Sequence, residues 1–218
     1  SLNDKPHFFP NLIPNVQEYI TWEDIEYCMN TPQLFDFEVI GPNNHKVDVP
    51  EYHTKWRDKP IQDKKFLFDC LKQGHGLACT NYGSYSQSTN ELLNEFEKTF
   101  NVHSAIHVYY GLGNYGSFKI HSDFPPNFII QSAGETHWKV YSESQSVLND
   151  ITYVAPKESD LTKVIDVVLK PGDVLYIPAR VWHIAMPSEP RLSMSIPCWP
   201  KFADSKQTVK AERAVNKL

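Results

Sequence analysis

Gly116-Ser-Phe-Lys-Ile-His-Ser-Asp123 places a histidine and an aspartate two residues apart. If residues 117–123 form a strand, the side chains of His121 and Asp123 project from the same face, because strand side chains alternate. One further imidazole would complete a set of two histidines and one carboxylate. Such a set suits a non-haem Fe(II) with open coordination positions. We expect His183 to provide that third ligand.

A second stretch, Val168-Leu-Lys-Pro-Gly-Asp-Val-Leu-Tyr-Ile-Pro-Ala-Arg-Val-Trp-His183, predicts a hairpin that ends in an inward histidine. Pro171-Gly172 marks a tight turn, since proline fixes φ and glycine tolerates a positive φ. A buried strand follows, and Pro178 marks a second bend before Trp182-His183. A hairpin of this kind can bring the histidine back across a barrel towards the first stretch.

Short strand patterns dominate the chain from residue 104 onwards. We expect strands at 104–110, 117–123, 127–133, 136–142, 151–155, 163–169, 173–177, 180–186 and 191–197. Turn signals such as Pro125-Pro126, Gly134 and Pro171-Gly172 separate them. This pattern is typical of an antiparallel sandwich or barrel and not of βαβ units. The predicted fold class is therefore mainly β.

Residues 1–60 are punctuated by prolines and predict an irregular N-terminal extension whose helix and strand cover the barrel. A helix is expected near 22–30, capped by Thr21 with Asp24 as its acidic partner, and a half-buried strand over 35–40. Further helices are expected at 62–73 and 92–100, the second opened by a capping box at Ser88-Thr-Asn-Glu91. The core is expected to span 61–200, with a polar tail at 201–218.

The composition is ordinary for a soluble globular protein. Of 218 residues, 41% are hydrophobic and 22% charged, and the net charge is −5. No run of lysine or arginine predicts a nucleic-acid or membrane partner, and no stretch has the ~20 apolar residues of a membrane span. The four cysteines are widely spaced without a C-x-x-C pair, which favours reduced thiols and a cytoplasmic location. The oligomeric state stays open.

The two stretches together resemble the cupin-like JmjC hydroxylases, above all the ribosomal-oxygenase branch, whose extra C-terminal domains have no counterpart in these residues. Residues 121–141 share the His-x-Asp, an apolar run ending in glutamine, a glycine, and a tryptophan on the next strand. Residues 168–183 share Pro-Gly-Asp-x-Leu-Tyr-Ile-Pro followed by Trp-His. The resemblance covers about residues 60–199. It implies a double-stranded β-helix, the cupin or jelly-roll barrel, with N-terminal helices packed on its outside.

The function implied by this resemblance is that of an Fe(II)- and 2-oxoglutarate-dependent oxygenase. Such an enzyme uses O2 to hydroxylate an unactivated C–H bond and releases succinate and CO2. The substrate could be a protein side chain, an amino acid or a small metabolite. His121, Asp123 and His183 become the iron ligands, and no catalytic residue beyond them is expected.

Two alternatives stay open. The first is a metal-dependent cupin dioxygenase or isomerase that does not use 2-oxoglutarate, and a cation in the cavity would argue against it. The second is a non-catalytic cupin binding module, and an intact ligand set argues against that.

The carboxylate partner of 2-oxoglutarate is where this chain departs from the family. The family usually carries a lysine or arginine two residues before the tryptophan, and here that residue is Thr136. A dianion in a barrel requires a cation. Lys139 is near, but it shares the strand parity of His137 and would need a bulge to point inward. Arg191 is favoured, because Arg191 and Ser193 resemble the Arg-x-Ser clamp of other 2-oxoglutarate oxygenases, although a surface arginine would have the same spacing.

Further contacts to the cosubstrate are expected from Asn127 and from one tyrosine. Asn127 matches an asparagine of some JmjC hydroxylases. Only one of Tyr109 and Tyr110 can face inward, and we name Tyr110. Trp138 and Trp182 are expected to be core residues.

Overall fold

The computed structural model describes residues 5–41, 45–113, 118–145, 154–188 and 190–201. Its α-helices are α1 (Trp22–Asn30), α2 (Lys64–Lys72) and α3 (Gln87–Phe100). Its strands are β1 (His7–Phe9), β2 (Phe37–Ile40), β3 (Lys46–Val47), β4 (Glu51–Thr54), β5 (Arg57–Gln62), β6 (Gly76–Cys79), β7 (Val102–Ser104), β8 (His107–Gly111), β9 (Asn127–Ala133), β10 (Thr136–Ser144), β11 (Lys163–Leu169), β12 (Val174–Ile177), β13 (Val181–Pro187) and β14 (Arg191–Pro200). None of the described helices is long and apolar enough to cross a membrane.

The strands form a large and a small antiparallel sheet. The large sheet has the order β1-β12-β9-β14-β8-β6-β2-β3, with β7 paired to β14, and the small sheet has the order β11-β10-β13. A backbone bridge between His121 and His183 adds the segment around His121 to the edge of the small sheet. Side chains of both sheets share one apolar cluster, so the sheets face each other. The predicted double-stranded β-helix is confirmed.

The central strands β9, β12 and β14 of the large sheet are buried on both faces, and successive side chains point to opposite faces. On β8 and β14, Tyr110, Leu192 and Met194 pack into the core beneath the helices. Tyr109 and Ser193, one residue away, point to the small sheet and line the space between the sheets. Because the side-chain period of a strand is two, this alternation fixes which residues can reach a ligand.

Capping residues set the helix starts. Thr21 and Asp24 form the predicted capping box of α1, which confirms that helix. The box of α3 consists of Ser86 and Thr89, so the helix begins at Gln87, two residues before the start that a cap at Ser88 implies. The predicted box at Ser88 was wrong, because a pair of hydroxyls can cap a helix as well as a hydroxyl and an acid.

The strand predicted over 35–40 is confirmed as β2, and the remainder of the first sixty residues is more regular than the sequence predicts. Strand β1 pairs with β12 and β2 pairs with β6, so both extend the large sheet, while β4 and β5 form a separate hairpin. Strands of two to six residues give too little periodicity to be read from sequence.

Most strand predictions in the barrel are confirmed, and those over 127–133 and 163–169 coincide with β9 and β11. The expected strand at 117–123 is wrong, because residues 118–126 contain one isolated bridge at His121. Residues 151–153 of another expected strand and residues 202–218 of the tail lie outside the described residues.

Candidate metal centre

The side chains of His121, Asp123 and His183 converge at the edge of the small sheet. Their ligand atoms all lie within 4.8 Å of one another, and no second group of this kind occurs among the residues that the structure describes. His183 Nε2 is 3.7 Å from Asp123 Oδ2, and the two imidazole centroids are 4.2 Å apart. The structure thus brings together the three residues that the sequence nominates as metal ligands.

Backbone carbonyls orient both imidazole rings. Nδ1 of His121 lies 2.8 Å from the carbonyl oxygen of Lys119, and Nδ1 of His183 lies 2.9 Å from that of Val181. A carbonyl can only accept a hydrogen bond, so each Nδ1 carries a proton, which leaves Nε2 as the ring nitrogen that can bind a metal. A hydrogen bond from the second ring nitrogen is the usual support of a metal-ligating histidine.

Burial keeps His183 in the form that binds metals. Its side chain is almost completely enclosed, and this desolvation lowers its pKa to about 4, with a smaller lowering effect from His121 and an opposing effect from Asp123. The imidazole is therefore neutral at physiological pH. A neutral imidazole is the state required of a histidine ligand.

Cross-links to the β12–β13 turn hold the segment that carries His121 and Asp123. The backbones of His121 and His183 exchange two hydrogen bonds of 3.0 and 2.9 Å, and the amide of Arg180 donates to the carbonyl of Asp123 at 2.7 Å. The Ser122 hydroxyl donates to Oε1 of Gln145 at 2.5 Å. These bonds fix the position of the segment although it is not the expected strand. His121 and Asp123 therefore still lie close together.

A cavity of about 210 Å³ opens from the metal ligands into the space between the two sheets. Four of the predicted cosubstrate residues also line it, namely Arg191, Ser193, Asn127 and Thr136. The hydroxyl of Ser195, another lining residue, donates to Oδ1 of Asn127 at 2.9 Å. This bond orients the Asn127 amide.

Arg191 places a cation in the cavity wall. The side chain is 5% exposed, and burial lowers its pKa to about 10, so the guanidinium stays charged at neutral pH. Gly134 has φ +64° and touches the start of β14 so closely that a Cβ there would lie 1.9 Å from the carbonyl oxygen of Pro190 and 3.1 Å from Arg191 Cα. This approach sets the start of β14 against the turn that leads into Thr136.

Two predicted cosubstrate residues do not line the cavity. Tyr110 is fully buried in the core on the helix side of the large sheet, and Tyr109 lines the cavity in its place. Lys139 points out of the barrel and pairs with Glu158 at 2.8 Å. The register shift in β10 comes after Val140, too late to turn Lys139 inward. The nominations of Tyr110 and Lys139 are therefore corrected by strand parity.

Tyr109 and Trp138 are two of the cavity residues that sequence reasoning did not select. Tyr109 is in register with Ser193 on the neighbouring strand, and burial raises its pKa, so its phenol is protonated. Trp138 has the same parity as Thr136; it belongs to the buried apolar cluster, as expected of a core residue, and it also lines the cavity. Parity relative to Thr136 and Ser193 is the signal that could have found both.

Comparison with known proteins agrees with this geometry. The JmjC domain family matches residues 83–204. The bifunctional lysine-specific demethylase and histidyl-hydroxylase NO66 of Aedes aegypti is 24% identical over 189 residues, which are 83% of this chain and 27% of that protein. Ribosomal oxygenase 1 of Danio rerio is 26% identical over 164 residues, or 74% of this chain and 28% of that protein.

Solved structures show the same fold. The ribosomal oxygenase YcfD of Escherichia coli, in complex with cobalt and 2-oxoglutarate, superposes with a TM-score of 0.65 at 17% identity, covering 98% of this chain and 53% of that one. The chain thus spans about a quarter of the length of these curated relatives and about half of YcfD. Since the family match covers more than half of its residues, the chain belongs to the JmjC domain family.

Proposed function

We propose that this protein is an Fe(II)- and 2-oxoglutarate-dependent oxygenase that hydroxylates an unactivated C–H bond and releases succinate and CO2. One observation carries the proposal. A group of two histidines and one carboxylate borders a cavity whose wall contains a buried guanidinium. The first feature suits a non-haem iron, and the second suits a carboxylate ligand.

The metal would be held by His121, Asp123 and His183. The donor set fits Fe(II), because two imidazoles that can bind through Nε2 and one carboxylate leave other coordination positions open. When bound, Fe(II) and its 2-oxo acid supply the oxygen-activating chemistry. The protein's own task is to fix the three ligands and to exclude water from the space between the sheets.

The cosubstrate would be held by Arg191 and Ser193 of β14 with Thr136 of β10. These three residues are at least 95% buried. Because the site is shielded from water, the cation and the two hydroxyls would contribute strongly to the binding of a carboxylate. Asn127 and Tyr109 would contact the remainder of the molecule from β9 and β8. A cupin that does not use 2-oxoglutarate has no need for a cation here, and a binding module has no need for all three metal ligands.

The substrate class that we favour is a side chain of a protein. The relatives named above are a lysine-specific demethylase and histidyl-hydroxylase and two ribosomal oxygenases. Phe118, which lines the cavity, and Phe124, which follows Asp123, are 36% and 55% exposed. A protein substrate could cover such apolar surface, whereas a free amino acid would leave it in water.

A turnover assay tests the proposal. The protein, loaded with Fe(II) under anaerobic conditions, is given O2, 2-oxoglutarate and a library of peptides, and succinate and substrate mass are followed. We expect succinate formation and a gain of 16 Da (one oxygen atom) on a peptide, both abolished in His121→Ala and unchanged in His137→Ala. His137 lies outside the cavity and pairs with Asp166. Absence of Fe(II) binding by the wild type, or equal binding by His121→Ala, would overturn the proposal.

A cytoplasmic location is part of the proposal. All four cysteines are free and buried, as expected of a protein that is not held together by disulfides. Cell fractionation would test this location.

A further inference from the structure

Two polar atoms on the inner face of β10 lack a hydrogen-bond partner within the described part of the chain. They are Oγ1 of Thr136 and Nε1 of Trp138. The two side chains are 2% and 7% exposed, and both line the cavity. The Thr136 hydroxyl has already been assigned to the cosubstrate. The Trp138 N–H has no role in the proposed function so far.

The residues directly opposite Trp138 on the neighbouring strands offer its N–H no side-chain acceptor. Its cross-strand partners are Val167 on β11 and Ala185 on β13, which carry only apolar side chains. A tryptophan N–H that is buried usually finds an acceptor, and leaving a buried donor unsatisfied costs about 1–3 kcal/mol. An acceptor supplied by a ligand in the cavity would remove this cost.

Trp138 lies between the metal ligands and the Arg191 side of the cavity. In β10 it stands between Thr136, next to the Arg191 side of the cavity, and Val140, which pairs with the metal ligand His183. The indole and the His183 imidazole have centroids 6.0 Å apart. A ligand that reaches from the metal to Arg191 along the inner face of β10 would therefore lie beside Trp138.

We propose that Trp138 is a binding residue of the cosubstrate and donates its indole N–H to an oxygen of the 2-oxo acid. This inference rests on the proposed function. It predicts that the ring of Trp138 shapes the cavity while its N–H adds affinity for 2-oxoglutarate. Trp138→Phe separates the two, since it keeps an aromatic ring and removes the donor.

The first experiment measures binding of 2-oxoglutarate to the Zn(II)-loaded protein by calorimetry, because Zn(II) occupies the site without turnover. We expect Trp138→Phe to raise the Kd for 2-oxoglutarate about tenfold or more, as for the loss of a hydrogen bond to a charged group, and to leave Zn(II) affinity unchanged. Trp182→Phe is the matched control. Trp182 is also 7% exposed and precedes His183, but it does not line the cavity. An unchanged Kd in Trp138→Phe, or an equal increase in Trp182→Phe, would overturn the inference.

A second measurement follows the indole N–H itself. The ¹⁵N-indole resonance that is missing in Trp138→Phe identifies Trp138 in the wild-type spectrum, and Trp138→Tyr provides the same identification if the phenylalanine variant does not fold. We expect that resonance to shift downfield when 2-oxoglutarate is added to the Zn(II)-loaded wild type. If 2-oxoglutarate binds and the Trp138 resonance stays in place, the inference is wrong. If the wild type binds no 2-oxoglutarate at all, the proposed function fails and this inference fails with it.

Discussion

The two ends of the cavity are built differently: the metal end, formed by His121, Asp123 and His183, and the far end, formed by Thr136, Arg191 and Ser193. At the metal end, two ligands lie two residues apart, and the third is joined to them by backbone hydrogen bonds between His121 and His183. At the far end, Thr136 comes from the small sheet and Arg191 and Ser193 from the large one. No described strand pairing links β10 to β14. The close approach at Gly134 brings these two parts of the chain together.

This difference explains why one end follows the family pattern and the other departs from it. The metal end needs three ligand atoms in one place, so a change of residue would remove the site. The far end needs a cation that can reach a carboxylate, and two strands can supply it. Thr136 stands where the family usually has a lysine or arginine, and Arg191 lines the same cavity from β14.

The largest effect is expected at the metal end. His183→Ala should weaken Fe(II) or Mn(II) binding by more than about 100-fold, since even the loss of a supporting partner costs about 10–100-fold. Calorimetric titration with Mn(II) measures it. Turnover should fall to background. Retained metal binding would show that the triad is not the site, and His137→Ala should titrate like the wild type.

At the far end, the affinity for 2-oxoglutarate should depend on a positive charge in the cavity and not on which strand carries it. Arg191→Ala should raise the Kd for 2-oxoglutarate about 100-fold, because removing one partner of a buried charge pair costs about 2–5 kcal/mol. Metal affinity should hardly change. Titration of the Zn(II)-loaded protein with 2-oxoglutarate measures it.

Moving the positive charge from residue 191 to residue 136 tests the same assignment of the 2-oxoglutarate site. The double variant R191A/T136K puts an amine at the usual position of the family, and we expect it to recover at least about tenfold of the affinity lost in Arg191→Ala. Lys139→Ala, which removes the outward lysine, is the control and should leave the Kd unchanged. A strong effect of Lys139→Ala with none for Arg191→Ala would reverse the assignment.

The contact between the two parts of the far end can be broken at Gly134. In Gly134→Ala the new Cβ would meet the carbonyl of Pro190, and alanine would be strained at φ +64°. We expect a loss of about 2–4 kcal/mol in unfolding free energy and weaker 2-oxoglutarate binding with nearly intact metal binding. Urea unfolding and the two titrations measure this. Gly83→Ala is the control, since its φ is not positive and its new Cβ would lie 3.0 Å from the end of the Leu93 side chain and in ordinary contact, at 3.6 and 3.7 Å, with Ile106.

The smallest effect is expected on the outer face of β10. Hydrogen bonds from His137 and Lys163 lower the pKa of Asp166 to about 2. Its carboxylate is thus favoured by folding, and its contribution to stability is present above the unfolded pKa of about 4 and is lost as the pH falls towards 2. Asp166→Asn should lower the thermal midpoint slightly at pH 6, with a difference that closes between pH 4 and 2. Binding of 2-oxoglutarate should not change. A changed Kd would contradict the conclusion that only the inner face of β10 contributes to the cosubstrate site.

Much of the barrel was predictable, because each strand and turn carries a local signal. Strands β9 and β11 match their predicted ranges, and α1 follows from the box of Thr21 and Asp24. The misses share one cause. The short strands before residue 60 other than β2, the segment around His121 and the hydroxyl box of α3 depend on pairing partners or cap residues that hydrophobic periodicity does not reveal.

The sequence by itself determined the fold class, the family and the three residues that could ligate a metal. These depend on spacing along the chain: Asp123 follows His121 by two positions, and turn residues mark the hairpin that carries His183. The tertiary structure decided the rest of the site. Which tyrosine faces the cavity, that Lys139 points outward, and that Arg191 and Trp138 line the wall depend on strand parity and on contacts between sheets. Parity within one strand is a local signal, but which parity faces the cavity is set by contacts between residues far apart in the chain, so the sequence pattern alone does not decide it.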